Sequence, residues 1–474
     1  MAVTSADDAA SRLRMINAGS AATRGAFAAS EWGDLPLLVF HFAQPPLQRS
    51  EEWMRERVEE LKGRVRTMFS DGSVAEAVTL MDTLERLGVD GHFREEIDSA
   101  ISRIVHPDES ADALDNFRDG MGNFKASLSS DPRALLSLYN AAHMAVPGDG
   151  PALDDVINFT RHQLETIVAK GELRSPLAEQ VARALDHPLP WFTRLLETMY
   201  YVGEYAQEET HDNTLLELAR LNSHLMRSLH LRELKALSLW WRDLYDTVNL
   251  PYTRDRMVEV YFWSCGMIPE EEHSRARLMF AKTFGLVTFL DDTYDVHATL
   301  EECRSFTKAM QRWDDSAVSI LPEYLRMLYI KTLSTFKDFE NMLKPHEKYR
   351  MSYAKKAYQL QAEYYMQEAQ WSNDKHQPTF KEHEELSVMS SGLPMLNLEA
   401  LMGYGAIVTK KVFEWTCAVP DVVRAGAQIG RFLNDISSYK DDEPGMHGDG
   451  PCVIASGATG GEYSKVERGH LPPR

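Results

Sequence analysis

Residues 289–295 read Phe-Leu-Asp-Asp-Thr-Tyr-Asp, so that three carboxylates, Asp291, Asp292 and Asp295, close the apolar run that begins at Phe284. Carboxylates gathered at the C-terminal end of a helix repel one another and face the negative end of its dipole, which costs free energy unless cations compensate. Asp291 and Asp295 are four apart and project from one helix face. Hard oxygen donors at this spacing suit Mg²⁺, which keeps several waters and bridges protein carboxylates to substrate phosphates. Taken alone, the cluster is as well explained by a solvated acidic helix end. A second set of oxygens downstream changes that balance: Asn434, Ser438 and Asp442 follow one another at steps of four. Two such stripes on facing helices can hold magnesium ions between them, with a diphosphate completing the coordination spheres.

A diphosphate also needs positive charge. Arg254-Asp255-Arg256 follows the helix breaker Pro251 and precedes an aromatic segment with Tyr261, Phe262 and Trp263. Arginine meets phosphate through a planar fork of donors; the plainer reading is a surface ion pair with Asp255. Trp263 can stabilise a carbocation over its ring face, or serve as an ordinary core residue.

Helices must position these groups. Ser50 opens a segment with Glu51 and Glu52 in its first turn and Met54, Val58, Leu61, Val65 and Met68 at helical steps. Leu218, Leu221, Leu225 and Leu229 repeat the pattern, while convincing strand alternation is absent, so the expected class is all-α. Length (474 residues) and 44% hydrophobic content predict more than one core. The acidic turn before Asn213 places a boundary near His211, giving a first helical domain over 32–210 after an extension of 31 residues, and a second over 211–440. From Asp441 to Arg474 Gly and Pro recur without amphipathic period, which predicts a disordered tail.

Composition removes several function classes. A net charge of -20 argues against general affinity for nucleic acid or anionic membrane, so an anionic substrate requires a local basic site. The four cysteines show no CxxC pairing, and no apolar run approaches the length of a membrane span. The Ala- and Ser-rich opening is interrupted by Asp7 and Asp8, which favours the cytosol.

Together these residues resemble the plant class I terpene synthase family. Phe289 to Asp295 looks like its DDxxD motif, Arg254-Asp-Arg256 like its RxR motif, and Asn434-Asp-Ile-Ser-Ser438 like the opening of (N/D)Dxx(S/T)xxxE. Trp32-Gly-Asp34, Thr83 to Gly88, Leu136 to Ala142 and Trp240-Trp241 add to the likeness, which runs from Trp32 to Tyr439. The resemblance implies a second domain built as a helical barrel and a first without catalytic residues. It implies three Mg²⁺ ions, Mn²⁺ being able to substitute, held by Asp291, Asp292 and Asp295 and by Asn434, Ser438 and Asp442. Arg254, Arg256 and Arg431 bind the diphosphate alongside Asp291, Asp295 and Asn434. The resemblance further implies ionisation of an isoprenoid diphosphate, with Asp291, Asp295, Arg254 and Trp263 as catalytic residues, and a monomer without nucleic-acid or membrane partners is expected.

Protonation-initiated chemistry is set aside, since no DxDD is present. Tandem arginines ahead of Trp32 are also absent, which favours a cytosolic farnesyl diphosphate user over a plastid geranyl diphosphate user. Three departures from the family stand out. A helical stretch is expected to be missing near 104–117; Asp442 replaces a longer glutamate; and after the second motif the chain turns into Asp441-Asp-Glu-Pro, as in a truncated or frame-shifted product lacking the last helices. A catalytically silent family member is therefore the alternative, with a monoterpene synthase or a chain-elongating prenyltransferase behind it.

Overall fold

The computed structural model describes residues 49–104, 117–119, 121, 123–146 and 152–438. The extension 1–31, the tail 441–474 with Asp442, and most of the 104–117 interval lie outside the described residues. Among those described there is no β-strand, only an isolated bridge between Arg118 and Phe124, in agreement with the all-α expectation.

Local sequence accounts for the first helices. Ser50 caps α1 (Glu51–Asp71), its Oγ accepting from the Trp53 amide at 3.2 Å, and Glu51 and Glu52 suit the positive end of the dipole. The buried seam is Met54, Val58, Leu61, Val65 and Phe69. The expectation of Met68 in the last place is corrected: a step of four from Val65 brings Phe69 inward, and Met68 packs half-buried beside the same core. A Ser73–Glu76 capping box then opens α2 (Val74–Arg86), followed by α3 (Arg94–Ile104). After them come α4 (Ala126–Ser129), α5 (Pro132–Ala142), α6 (Ala152–Lys170), α7 (Leu177–Asp186), α8 (Arg194–Tyr205) and α9 (Asn213–Val248).

The described chain divides into two compact units, one of residues 49–232 with 265–271, the other of 233–264 with 272–438. The first holds two apolar cores. One joins α1 to α3 with Tyr201, Tyr205 and Leu215 to Leu225; the other joins α5, α6 and α7 around Leu135, Tyr139, Leu164 and Val181. Helix α9 begins two residues past His211 and supplies residues to both units.

The second unit is built on α11 (Ser274–Asp292), which is buried nearly all round. It is preceded by α10 (Met257–Met267) and followed by a π-helical turn over Thr293–His297, then α12 (Leu300–Arg312), α13 (Glu323–Met342), α14 (Arg350–Asp374), α15 (Phe380–Ser390), α16 (Leu393–Met402), α17 (Lys410–Cys417) and α18 (Asp421–Ser438). Helix α16 packs on α11, α14 and α18, and α15 packs on α14 and α18. The α11–α16 crossing is so close that a Cβ at Gly403 would stand 2.3 Å from the Ala276 Cα. Glycine is required there.

Candidate active site

The apolar surface of α11 carries its polar end to a defined place. Two turns before Asp291, Phe284 packs against Trp263 (ring centroids 5.3 Å), and Trp263 keeps about half its surface exposed. The Trp241 ring lies against Phe289 at 5.1 Å and donates through Nε1 to Asp255 at 2.8 Å. Asp255 thus fastens the segment to α9. The Tyr252 and Thr293 hydroxyls bond at 3.0 Å, tying the same segment to the π-helical turn.

Arg254 is held between two aspartates. Its Nη2 donates to Asp291 Oδ2, its Nε lies 2.8 Å from Asp292 Oδ1, and its backbone amide donates to Asp292 Oδ2 at 2.7 Å. Asp292 is buried, and both of its oxygens serve Arg254. Sequence spacing groups it with the metal ligands; the structure turns it toward the arginine. Asp291 is half-buried, and the buried Tyr365 of α14 lies close enough that burial, with Asp291 and Asp295 adding repulsion, pushes its hydroxyl well above the ordinary value. Arg256 donates from Nη1 to the Asp255 carbonyl at 3.0 Å.

The second stripe meets this cluster through α14. Arg431 of α18 places Nη1 3.9 Å from Glu368 Oε1 and Nε 2.9 Å from Asp435 Oδ1. Glu368 accepts a 2.6 Å hydrogen bond from Ser390. Burial pushes the Glu368 carboxyl up, Arg431 and Ser390 pull it down, and Asp291 adds repulsion. Asp295 is exposed on the π-helical turn, and loss of hydration around its carboxyl pushes it above the ordinary range. Asp291 and Glu368 push it further, while Arg431 and Arg254 oppose them. Asp295 therefore senses the arginines of both motifs, and the two distant stretches share one charged cluster. Asn434 is exposed on α18; Ser438 ends that helix, its side chain outside the described residues.

These donors suit a hard divalent cation: aspartate and glutamate oxygens crowded at a mutual cost that positive charge relieves. Among the described residues no three His, Cys, Asp or Glu side chains are already grouped to hold an ion by themselves. Sequence reasoning missed Glu368, Tyr365 and His383. Each is a lone polar residue in an ordinary helical pattern, and only the packing of α14, α15 and α18 brings them near Arg431 and Asp435, the latter a motif residue to which the spacing assigned no role.

The sequence comparisons agree with this geometry. The model of the terpene synthase family metal binding domain matches residues 242–453, and that of the terpene synthase N-terminal domain matches 31–111 and 108–185. Eudesmanediol synthase of Zea mays is 56% identical over 468 residues, covering 92% of this chain and 83% of that protein. Tau-cadinol synthase of Zea mays is 40% identical, covering 86% and 79%. Among solved structures, isoprene synthase from grey poplar leaves (Populus x canescens), in complex with three Mg²⁺ ions and dimethylallyl-S-thiolodiphosphate, superposes with a TM-score of 0.76 at 28% identity, covering 85% of this chain and 82% of that one. The chain belongs to the terpene synthase family, with the helical class I fold, and carries its metal-binding domain. None of its described helices is long and apolar enough to cross a membrane.

Proposed function

We propose that the chain is a sesquiterpene synthase-type lyase that ionises farnesyl diphosphate with Mg²⁺, the allylic cation then cyclising or losing a proton. The observation that carries this reading is that α14 packs on the π-helical turn bearing Asp295 and places its Glu368 3.9 Å from Arg431 of α18, within electrostatic reach of Asp291. Asp291 and Asp295 would hold metal on one side, Asn434, Ser438 and Asp442 on the other, with Glu368 between. When bound, magnesium stabilises the departing diphosphate electrostatically. Arg254, Arg256 and Arg431 bind and orient the diphosphate through their planar forks. Asp292 keeps Arg254 in place. Trp263, braced by Phe284, offers its ring face to the cation. Three ions, replaceable by Mn²⁺, and a monomer in the cytosol complete the reading.

Farnesyl diphosphate is favoured by the sesquiterpene synthases among the relatives and by the absence of tandem arginines before Trp32. Gas chromatography of magnesium assays with farnesyl and geranyl diphosphates offered separately tests it. Product is expected from the former and is expected to vanish in Asp291→Ala. Product insensitive to that change refutes the site, product from geranyl diphosphate alone refutes the substrate, and none from either favours the silent alternative.

A further inference from the structure

Helix α15 carries no motif, yet it touches both acidic groups that hold Arg431. A Thr379–Glu382 capping box fixes its start, with the Glu382 amide donating to Thr379 Oγ1 at 3.3 Å and the Thr379 amide donating to Glu382 Oε2 at 2.8 Å. Phe380 stacks on Phe432 of α18 at 5.9 Å, and Gln428 of α18 donates to Glu384. Between these contacts the buried His383 places Nε2 3.4 Å from Asp435 Oδ2. At the far end of α15, Ser390 donates to Glu368.

Asp435 is 5% exposed, so its carboxylate depends on protein partners. One oxygen faces Arg431 Nε; the other faces His383. An arginine side chain carries several rotatable bonds, and an ion pair to the same helix at i+4 leaves it loosely defined. A carboxylate gripped from a second helix removes that freedom.

We infer that His383 is a positioning residue: by holding Asp435 from α15 it sets the plane of the Arg431 guanidinium that receives the diphosphate. The role rests on the proposed function, because it needs Arg431 to meet a diphosphate. His383 itself touches no substrate. It acts through a neighbour, so its loss should weaken ground-state binding more than turnover.

The test is calorimetric titration of the full chain with inorganic diphosphate in excess Mg²⁺, alongside steady-state kinetics with farnesyl diphosphate. His383→Phe keeps the ring's bulk without the nitrogen, whereas His383→Gln places an amide nitrogen near the Nε2 position. We expect His383→Phe to weaken diphosphate binding and raise KM by about tenfold, the scale of one hydrogen bond to a charged group, with kcat changed less than about twofold. His383→Gln should restore both to within about twofold of wild type. Circular dichroism and melting identify any variant that fails to fold, and His383→Gln then carries the comparison. A folded His383→Phe that binds like wild type overturns the role, as does a His383→Gln that loses binding equally, since packing would then explain the loss. Wild-type protein that does not bind diphosphate overturns the reading of the site and the role with it.

Discussion

A carboxylate pair at a helix end is unstable without positive charge, and Arg254 supplies it inside the fold. Its Nη2 donates to Asp291 and its backbone amide to Asp292, while Nε lies 2.8 Å from Asp292 in an ion pair, an arrangement that a lysine ammonium on a flexible stem cannot copy. Arg254→Lys keeps the charge and loses the fork. We expect kcat to fall about 10²- to 10³-fold, the usual cost of a misplaced donor to developing charge, with the fold intact. Turnover within threefold of wild type, measured at saturating substrate, would remove Arg254 from the reaction. At this scale the sequence was informative wherever chemistry repeats at short range. Asp291, Asp295 and Arg254 stand in local patterns whose spacing carries meaning, and the structure gathers them. Glu368 and His383 have no such pattern, because their partners are 63 and 52 residues away along the chain (Arg431 and Asp435).

Helices were legible because apolar residues recur at their period, and α1 begins at the Ser50 cap that the sequence marks. What periodicity leaves out is where a helix deviates. The π-helical turn after Asp292 is tied down by Tyr252, whose hydroxyl bonds that of Thr293 from a segment 41 residues earlier. Buried polar pairs are hidden for the same reason. Arg277 of α11 is fully buried and meets Glu233 of α9 through two hydrogen bonds of 2.9 and 2.8 Å, and Glu233 also accepts from Tyr261 at 2.8 Å. Burial alone would raise the Glu233 carboxyl; the bonds from Arg277, Ser274 and Tyr261 outweigh it and hold it below its ordinary value. Glu233→Ala leaves the buried Arg277 charge without its carboxylate, which should cost about 3–5 kcal/mol in urea unfolding. Replacing both residues with methionine should recover most of the loss, since the desolvation cost vanishes along with the pair. A single variant as stable as wild type would show that water or another group already satisfies Arg277.

The whole molecule carries a net charge of -20, and one of its acids is buried where charge is not tolerated. Glu399 of α16 is fully buried against α11; Thr283 donates to its Oε2 at 3.5 Å, and Oε1 has no hydrogen-bond partner among the described residues. Burial pushes its carboxyl from an ordinary 4.5 up to about 8, opposed only by the weak bond from Thr283. The folded chain therefore retains a proton there that the unfolded chain releases above its ordinary value. Unfolding releases that proton between pH 4.5 and about 8, so stability falls as pH rises through this window and levels off above it. The slope from one such proton is at most about 1.4 kcal/mol per pH unit. Glu399→Gln copies the neutral form and removes this dependence. Subtracting the wild-type unfolding free energy from that of the variant, pH by pH, cancels the contributions of groups that titrate alike in both. The difference should grow in favour of glutamine across the window and stay flat beyond it. A difference that does not change between about pH 5 and 8 would mean that Glu399 is ionised in the folded chain, and the dry contact between α11 and α16 would then have to admit water or a cation.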